Sequence, residues 1–259
     1  MNQYDRRKLL SKITALANLA GAEIMKRFCD NLEVFYKRDS SPVTTADRAS
    51  EKIIVEGLRK LTPGFPVIAE EEMASGRKVE FNTDAFWLVD PLDGTKEFIA
   101  HRDEFTVNIA LIEDNLPTIG VVLAPARAAL YTTSGPGEVS CQIGKGVPKP
   151  ISAAFIPKKQ VIAIGSRSHG NRKKMQNLLK ERQIEKVLIC GSSIKFCLVA
   201  CGKADVYPRY GNTHEWDTAA GHAILSSAGG SVKTLDGKEL SYGKKSFLNP
   251  EFIAFGKIK

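Results

Sequence analysis

The sequence predicts an α/β protein with an α+β N-terminal half and an α/β C-terminal half, over residues 1–150 and 151–259. In the first half, two helical periodicities precede a run of strands separated by Gly, Pro and acidic turns, which is typical of an antiparallel sheet. In the second half, short apolar strands alternate with helical segments, as in α/β domains. A stretch at 148–157 that begins and ends with Pro marks the boundary between the halves.

The composition indicates an ordinary globular protein. The 259 residues are 43% hydrophobic and 25% charged, which is enough apolar material for one large core or two intimate halves. No window approaches the roughly 18 apolar residues of a membrane span, and the N-terminus is amphipathic, unlike a signal peptide. The five cysteines are sparse and odd in number, which favours reduced thiols. We therefore expect a cytoplasmic protein, with a peripheral position at the inner membrane face left open.

The net charge of +8 predicts an anionic partner, such as nucleic acid, a membrane surface or a phosphorylated small molecule. The basic residues are spread along the chain, and no helix-turn-helix, zinc-finger or RNA-recognition signature is present. The pattern favours a small phosphorylated ligand and no nucleic acid.

Helical spacing in the first half predicts a helix over Arg6–Phe28 and a second helix that ends before Pro63. Thr44 and Asp47 form the pattern of a capping box at the start of the second helix. The segment Phe65–Ala69 is predicted as a strand that ends in three acids, Glu70, Glu71 and Glu72, followed by a loop from Met73 to Asp84. An antiparallel meander is predicted over Phe105–Ile112, Thr118–Ala124, Ala129–Thr133 and Glu138–Ile143.

The second half is predicted to alternate between strands and helices. The strands are Val161–Gly165, Lys186–Cys190, Ala204–Tyr207, Ser231–Thr234 and Phe252–Phe255. The helices are Asn171–Arg182, Ser193–Cys201 and Asp217–Ala228.

An acidic turn follows the buried strand that begins at Phe86. The strand is predicted to break at Asp90-Pro91 and to turn at Asp93-Gly94, which places two carboxylates on either side of the Leu92 carbonyl. Such oxygen atoms are the ligands that Mg²⁺ prefers. The backbone N–H groups of Gly94 and Thr95 are then free to face a phosphate, as at a helix N-terminus. The alternative is an ordinary turn, because Asp-Pro and Asp-Gly are common turn dipeptides.

Further acids occur at the ends of other predicted elements, namely Asp47, Glu70 with Glu71, and Asp217. Helix capping is the structural alternative for Asp47 and Asp217, and a solvated loop is the alternative for the three glutamates. Each structural alternative explains the acids of one segment but not their occurrence in several segments. A site for two Mg²⁺ ions about 4 Å apart requires carboxylates from several distant segments.

The acidic turn and the segment around Asp217 resemble the two signatures of a known family. The motifs of the inositol monophosphatase superfamily are similar to Asp90-Pro91-Leu92-Asp93-Gly94-Thr95 and Trp216-Asp217-Thr218-Ala219-Ala220-Gly221 of this chain. The members of that superfamily are Mg²⁺-dependent, typically lithium-sensitive phosphatases. The resemblance covers essentially the whole chain. It implies the layered αβαβα sandwich of the inositol monophosphatase and fructose-1,6-bisphosphatase type, with the site between the halves.

Within that superfamily the chain resembles most the 3′(2′),5′-bisphosphate nucleotidases of the bacterial CysQ type. This narrower resemblance rests on Lys-Glu-Phe after Thr95, on Ser166-Arg167-Ser168-His169, and on the segment 202–209 followed by Glu215-Trp216-Asp217. It implies hydrolysis of the 3′-phosphate of adenosine 3′,5′-bisphosphate to AMP, with 3′-phosphoadenylyl sulfate as a second substrate, in sulfate assimilation. One departure is Asn212, where relatives often have Pro.

The resemblance implies roles for particular residues. Two or three Mg²⁺ ions would be held by Glu70, Asp90, the Leu92 carbonyl, Asp93 and Asp217. Thr95 and Asp47 would activate the attacking water, and Glu71 would support the metals or hold a third one. Substrate contacts would come from Glu70, Leu92, Asp93, Gly94, Thr95, His169, Ser192, Lys195, Arg209 and Asp217. The alternatives are a helix cap for Ser192 and solvated charges for Lys195 and Arg209.

Two other functions stay open at this point. One is an inositol monophosphatase or another sugar-phosphate phosphatase on the same scaffold. The other is a basic nucleic-acid-binding or regulatory protein with a degenerate phosphatase fold, which is expected to have lost one or more of the acids that this sequence retains.

Overall fold

The helices and strands that position the site are seen in a computed structural model, which describes residues 1, 3–28, 34–37, 42–77, 79, 83–157, 159–167, 174 and 183–258. The helices are α1 Gln3–Phe28, α2 Thr45–Leu61, α3 Glu70–Ala74, α4 Thr95–Ile99, α5 Ile194–Ala200 and α6 Glu215–Ser227, with a 3₁₀ turn at Pro125–Arg127. The strands are β1 Val34–Tyr36, β2 Pro42–Thr44, β3 Val67–Ala69, β4 Ala85–Asp93, β5 Thr106–Glu113, β6 Leu116–Ala124, β7 Ala129–Thr133, β8 Val139–Ile143, β9 Lys149–Pro150, β10 Val161–Gly165, β11 Ile184–Ile189, β12 Val206–Arg209, β13 Ser231–Thr234 and β14 Phe252–Phe255.

The first half forms a larger sheet with the order β3-β4-β5-β6-β7-β8-β9, in which β3 is parallel to β4 and the other pairs are antiparallel. This confirms the predicted meander. Strands β1 and β2 form a separate antiparallel pair that the sequence pattern did not predict.

The second half forms a smaller sheet with the order β11-β10-β12-β14-β13. Strand β10 is parallel to β11 and β12, whereas β14 is antiparallel to β12 and β13. The predicted helix Asn171–Arg182 lies outside the described residues, apart from Lys174.

The elements stack in layers because each strand of the larger sheet directs alternate side chains to opposite faces. Trp87 and Val89 of β4 pack with α1 and α2, whereas Phe86 and Leu88 pack with α5 and α6. The layer of α5 and α6 also packs on the inner face of the smaller sheet, for example on Phe252. The order helix, sheet, helix, sheet confirms a layered α/β fold of the expected type.

The strands of the larger sheet end at residue 150, and those of the smaller sheet begin at 161. The two halves share a core, since α6 packs directly against β5 and β6. We keep the division between residues 150 and 151 as a proposal. In the described part of the chain, no helix has the length and apolar character needed to cross a membrane. Free thiols are present at Cys141, Cys190, Cys197 and Cys201.

Two predicted boundaries near the acids are wrong. The opening strand does not break at Asp90-Pro91, because β4 continues to Asp93 through a bulge between Asp90 and Asp93. Proline is tolerated there because a bulge leaves one residue out of the ladder and needs no N–H from it. The loop predicted from Met73 to Asp84 begins later than expected, because a short helix, α3, includes the three glutamates and continues through Met73 to Ala74. The N–H groups of α3 at Glu71 and Glu72 bind the Glu51 carboxylate from α2, a tertiary contact that local pattern does not reveal.

Asp47 and Asp217 both take part in capping a helix, which was the structural alternative to a role in the site. The capping box of Thr44 and Asp47 at the start of α2 is confirmed. The capping alternative placed Asp217 at the N-cap of its helix. The N-cap is His214, and Asp217 is the third residue of the helix. A capping bond uses only one carboxylate oxygen, and the other oxygen of each acid is available to the site.

Candidate active site

The bulge in β4 holds the central acids at one end of the larger sheet. Asp90 accepts a hydrogen bond from the Leu92 N–H at 3.0 Å, and the Ser50 hydroxyl donates to the Pro91 carbonyl at 3.0 Å. Asp93 accepts a hydrogen bond from the Ser193 N–H of the second half at 2.6 Å. The acidic turn is therefore fixed from both halves of the protein.

Carboxylates from three distant segments converge at this bulge. Ligand oxygens of Glu70 on α3, Asp90 on β4 and Asp217 on α6 lie within 4.8 Å of one another. Asp217 is oriented by the His214 N–H, which donates to its Oδ2 at 2.8 Å. The convergence of acids predicted from sequence is present for these three residues, and Asp93 lines the same cavity.

The crowding of these acids disfavours their charged forms. Burial raises the pKa of Asp90 and Asp217 well above the usual range, and neighbouring carboxylates raise each of them further. Burial also raises the pKa of Asp93, to about 6, although the Lys195 charge opposes the shift. A divalent cation relieves this repulsion, and a set of carboxylate and carbonyl oxygens suits Mg²⁺. The residues present therefore fit the metal that the sequence predicts.

The buried Asp47 and the half-buried Thr95 form a pair beside the acidic turn. The Thr95 hydroxyl lies 3.1 Å from Asp47 Oδ1 and 3.2 Å from the Leu92 carbonyl. The other oxygen of Asp47 accepts the N–H and the hydroxyl of Thr44, both at 2.7 Å. Burial raises the pKa of Asp47, so its carboxylate accepts a proton more readily than an exposed aspartate does.

Lys37 lies beside the acids and was not predicted from sequence. Its Nζ is 2.6 Å from Glu70 Oε1 and 2.6 Å from Glu71 Oε1. Burial alone lowers the pKa of this lysine, but the two glutamates outweigh burial and raise it. Burial raises the pKa of Glu71 to about 7, in spite of the lysine. Glu71 is thus held by Lys37 next to the cluster and does not line the cavity with Glu70.

The acids face a cavity of about 330 Å³ between the two halves. Its lining includes Glu70, Asp90, Leu92, Asp93, Gly94, Thr95, Ser192, Lys195, Arg209 and Asp217. These are all the predicted metal and substrate residues apart from His169, which lies outside the described residues. Asp47 and Glu71 are not among the lining residues, but Asp47 contacts Thr95, and Lys37 bridges Glu71 to Glu70.

Two buried cations form the other end of the cavity. Lys195 is 3% exposed, and its Nζ donates to the carbonyls of Cys190 and Ser192. Arg209 is 9% exposed and donates to the Ser166 hydroxyl at 3.1 Å and to the Asn212 carbonyl at 2.9 Å. In the described part of the chain neither cation is ion-paired with a carboxylate, and the buried Nε of Arg209 has no hydrogen-bond partner.

Ser192 precedes α5 with a left-handed backbone, at φ 48°. This conformation is uncommon for a residue with a side chain and turns the segment 190–193 toward the cavity. The Ser192 hydroxyl lies 3.4 Å from the Ile194 N–H, so the capping alternative is met only by a long contact.

Several residues of the site could not be found from local pattern. Ser193, Asn108 and Thr106 join the halves behind Asp93, with the Ser193 hydroxyl 2.7 Å from Asn108 and 2.9 Å from Thr106. Arg167 lines the cavity and forms an ion pair with Glu104, which does not line it. Arg167 stands within a motif that the sequence analysis singled out, but the others carry no signal apart from their position in the fold.

Comparisons with known proteins give a family match and several named relatives. The family model described as the inositol monophosphatase family matches residues 5–254. The 3′(2′),5′-bisphosphate nucleotidase CysQ of Salmonella typhimurium is 45% identical over 251 residues, covering 94% of this chain and 98% of that protein. The protein of the same name from Buchnera aphidicola is 43% identical, covering 96% of this chain and 94% of that one.

Solved structures show the same fold. CysQ from Bacteroides thetaiotaomicron superimposes with a TM-score of 0.81 at 38% identity, covering 96% of this chain and 98% of that one. An inositol monophosphatase from Anabaena superimposes with a TM-score of 0.76 at 24% identity, covering 97% and 91% of the two chains.

Proposed function

This chain belongs to the inositol monophosphatase family, and from that premise we propose that it is a phosphatase for nucleotides that carry two phosphates. The proposed reaction is the hydrolysis of the 3′-phosphate of adenosine 3′,5′-bisphosphate to AMP and phosphate. The curated relatives named above support this choice by name, since they are 3′(2′),5′-bisphosphate nucleotidases.

The proposal rests on the opposite charges at the two ends of one cavity. The acidic end suits metal ions and the phosphate to be cleaved. The basic end presents Lys195 and Arg209, which bond only to neutral acceptors among the described residues. The two cations interact electrostatically with Asp93, but no described carboxylate forms an ion pair with either of them. Buried charges that lack an ion-pair partner favour an anionic ligand. An inositol monophosphate has no second anion for this end.

At the acidic end, Glu70, Asp90, the Leu92 carbonyl, Asp93 and Asp217 would hold two or three Mg²⁺ ions. When bound, the ions neutralise phosphate oxygens, lower the pKa of water and stabilise the leaving oxygen. The backbone N–H groups of Gly94 and Thr95 would bind the phosphate that is cleaved.

Proton transfer is assigned to Thr95 and Asp47. The Thr95 hydroxyl donates to Asp47 Oδ1, which leaves an oxygen lone pair of Thr95 to accept a hydrogen bond from the attacking water. As water attacks, its proton passes to Thr95 while the Thr95 proton passes to Asp47. The Thr44 donors hold Asp47 in place during the transfer. Glu71 remains outside the cavity and supports Glu70 through Lys37.

At the basic end, Ser192, Lys195 and Arg209 would bind the 5′-phosphate, and His169 would lie near the nucleoside. The same end would accept the longer 5′-substituent of 3′-phosphoadenylyl sulfate, which would place the enzyme in sulfate assimilation. The free thiols of the described cysteines favour a cytoplasmic location.

A substrate panel tests the proposal. Phosphate release from adenosine 3′,5′-bisphosphate, inositol 1-phosphate and fructose 1,6-bisphosphate is measured with Mg²⁺, with EDTA, and with Mg²⁺ plus Li⁺. We expect the bisphosphonucleotide to have the highest kcat/KM, no turnover in EDTA, and inhibition by Li⁺. A clear preference for inositol 1-phosphate would refute the nucleotidase assignment. Salt-sensitive RNA binding without hydrolysis would instead favour the nucleic-acid-binding alternative.

A further inference from the structure

Glu104 joins the two halves directly behind two residues that line the cavity, Arg167 and Gly191, although no role assigned above uses it. It lies between α4 and β5, and its side chain is 12% exposed. Its Oε2 accepts the N–H of Gly191 at 2.8 Å, and its two oxygens lie 3.1 and 3.2 Å from Nη2 of Arg167. One carboxylate of the first half thus binds two separate segments of the second half.

The backbone of Glu104 also lies against both sides of the cavity. A Cβ added to Gly94 would lie 2.9 Å from the Glu104 carbonyl oxygen, and a Cβ added to Gly191 would lie 2.8 Å from the same atom. Both distances are shorter than real contacts of this kind, so each glycine permits a close approach to Glu104. Gly94 opens the turn assigned to the cleaved phosphate, whereas Gly191 precedes the segment assigned to the second phosphate.

The contact between Glu104 and Arg167 links Glu104 indirectly to Arg209, the second buried cation of the basic end. Arg167 follows Ser166 directly, and the Ser166 hydroxyl accepts a hydrogen bond from Arg209 at 3.1 Å. The segment 191–195, which carries Lys195, is held through Gly191. Glu104 therefore binds the segment that carries Lys195 directly, and it is linked to Arg209 on β12 through Arg167 and the neighbouring Ser166.

We propose that Glu104 is a positioning residue that sets the separation between the hydrolytic end and the basic end, and so determines selectivity for substrates with two anionic groups. This inference rests on the proposed function. A substrate with two phosphates must reach both ends at a separation fixed by its ribose, whereas a monophosphate needs only the acidic end. A change in separation therefore weakens binding of the bisphosphate in the transition state and spares the monophosphate.

The test compares kcat/KM for adenosine 3′,5′-bisphosphate with kcat/KM for adenosine 3′-monophosphate, and the ratio of the two is the selectivity. The variants are Glu104→Ala, Glu104→Gln and Arg167→Ala. The matched control is Arg127→Ala, because Arg127 also reaches Glu104, at 3.5 Å, but pairs with Asp103 at 3.1 Å and does not line the cavity.

We expect Glu104→Ala to lower the selectivity about 10-fold, as for loss of hydrogen bonds to a charged group, with most of the change in KM for the bisphosphate. Glu104→Gln should have a smaller effect, because the amide oxygen can still accept the Gly191 N–H while the Arg167 bond is lost. Arg167→Ala should resemble Glu104→Gln, and Arg127→Ala should stay within about twofold of the wild type.

Equal losses with both substrates in the Glu104 variants would overturn the inference, since they indicate a purely structural role. If Glu104→Ala does not fold, Glu104→Gln and Arg167→Ala decide the question, and unchanged selectivity in both would overturn it. Failure of the proposed function has a different signature, namely that the wild-type protein does not hydrolyse adenosine 3′,5′-bisphosphate in the presence of Mg²⁺.

Discussion

At the scale of single residues, Asp93 is where the two ends of the cavity meet. Its Oδ2 accepts the Ser193 N–H, the charges of Lys195 and Arg209 lower its pKa, and burial with Glu70 raises it. The Asp93 carboxylate therefore interacts electrostatically both with the acidic cluster and with the basic end of the cavity. Its charge is the property that the proposed chemistry needs.

Replacement of Asp93 by Asn should abolish most Mg²⁺-dependent turnover and leave the fold intact. The amide keeps the shape and can still accept the Ser193 N–H, but it removes one negative metal ligand. We expect kcat to fall by about 100-fold or more, in line with the several kcal/mol that metals contribute. Asp236→Asn, an exposed acid far from the cavity, is the control. Near-normal turnover of adenosine 3′,5′-bisphosphate by Asp93→Asn would contradict the assigned role.

The same variant gives a pH-dependent prediction for stability without Mg²⁺. The pKa of Asp93 is about 6 in the folded protein and about 3.9 in an unfolded chain. Between these values the folded state retains a proton that the unfolded state has lost, so the free energy of unfolding falls as the pH rises. Asn cannot titrate. Thermal unfolding should therefore show that the Tm of Asp93→Asn exceeds that of the wild type by an amount that grows from pH 4 to pH 6 and then levels off. A pH-independent difference would contradict the crowding of charge at this site.

At the scale of elements, helix α2 links its own cap to the proposed proton transfer. Thr44 caps α2 through the Ala46 N–H, and its N–H and hydroxyl both donate to Asp47. The Thr44 hydroxyl therefore contributes both to the cap and to the orientation of the Asp47 carboxylate.

Thr44→Ala should lower both stability and kcat. Loss of the cap is expected to reduce the free energy of unfolding by about 1 kcal/mol. The loss of a donor to Asp47 should lower kcat more than it changes KM, because Asp47 contacts Thr95 and not the cavity. Thr44→Ser keeps the hydroxyl and should restore both quantities. Denaturant unfolding and steady-state kinetics provide the measurements, and a destabilised Thr44→Ala with unchanged kcat would show that Asp47 only caps the helix.

The helices and strands that were predicted correctly are those with a strong periodicity of apolar residues and common boundary residues. Helices α1 and α2 and strands β5 to β8 appeared within a few residues of their predicted positions, because their apolar spacing reflects burial on one or both faces. Helix α3 and the passage of β4 through Pro91 were not predicted. Both depend on partners distant in sequence, namely the Glu51 carboxylate and the ladder with β5.

At the scale of the whole molecule, the site exists only because the two halves pack together. The sequence identified the acids through motif resemblance, but their convergence within 4.8 Å depends on α3, β4 and α6 meeting at one end of the larger sheet. The contacts of Lys37, Ser193 and Glu104 could not be predicted, since each joins segments that are far apart along the chain. The acids of the site can be recognised in the sequence, whereas the residues that hold them in place can be identified only from the contacts in the fold.

Binding of Mg²⁺ should stabilise the whole protein, because a cation relieves the repulsion among buried acids that the folded state alone assembles. At a free Mg²⁺ concentration about 100 times Kd, one site contributes about 2.7 kcal/mol. Thermal unfolding should show a saturable rise in Tm with MgCl₂ that NaCl at equal ionic strength does not reproduce, and Asp217→Asn should reduce the rise. Equal effects of the two salts would mean that the acids do not form a metal site.

In the proposed reaction, the acidic end of the cavity cleaves the 3′-phosphate while the basic end retains the 5′-phosphate. The most direct measurement is ³¹P NMR of adenosine 3′,5′-bisphosphate during turnover with Mg²⁺, because the two possible nucleotide products differ in which ester phosphate remains. We expect AMP with its 5′-phosphate and inorganic phosphate to form in equal amounts, and EDTA to stop the reaction. Formation of adenosine 3′-monophosphate, or phosphate release that continues in EDTA, would contradict the proposal.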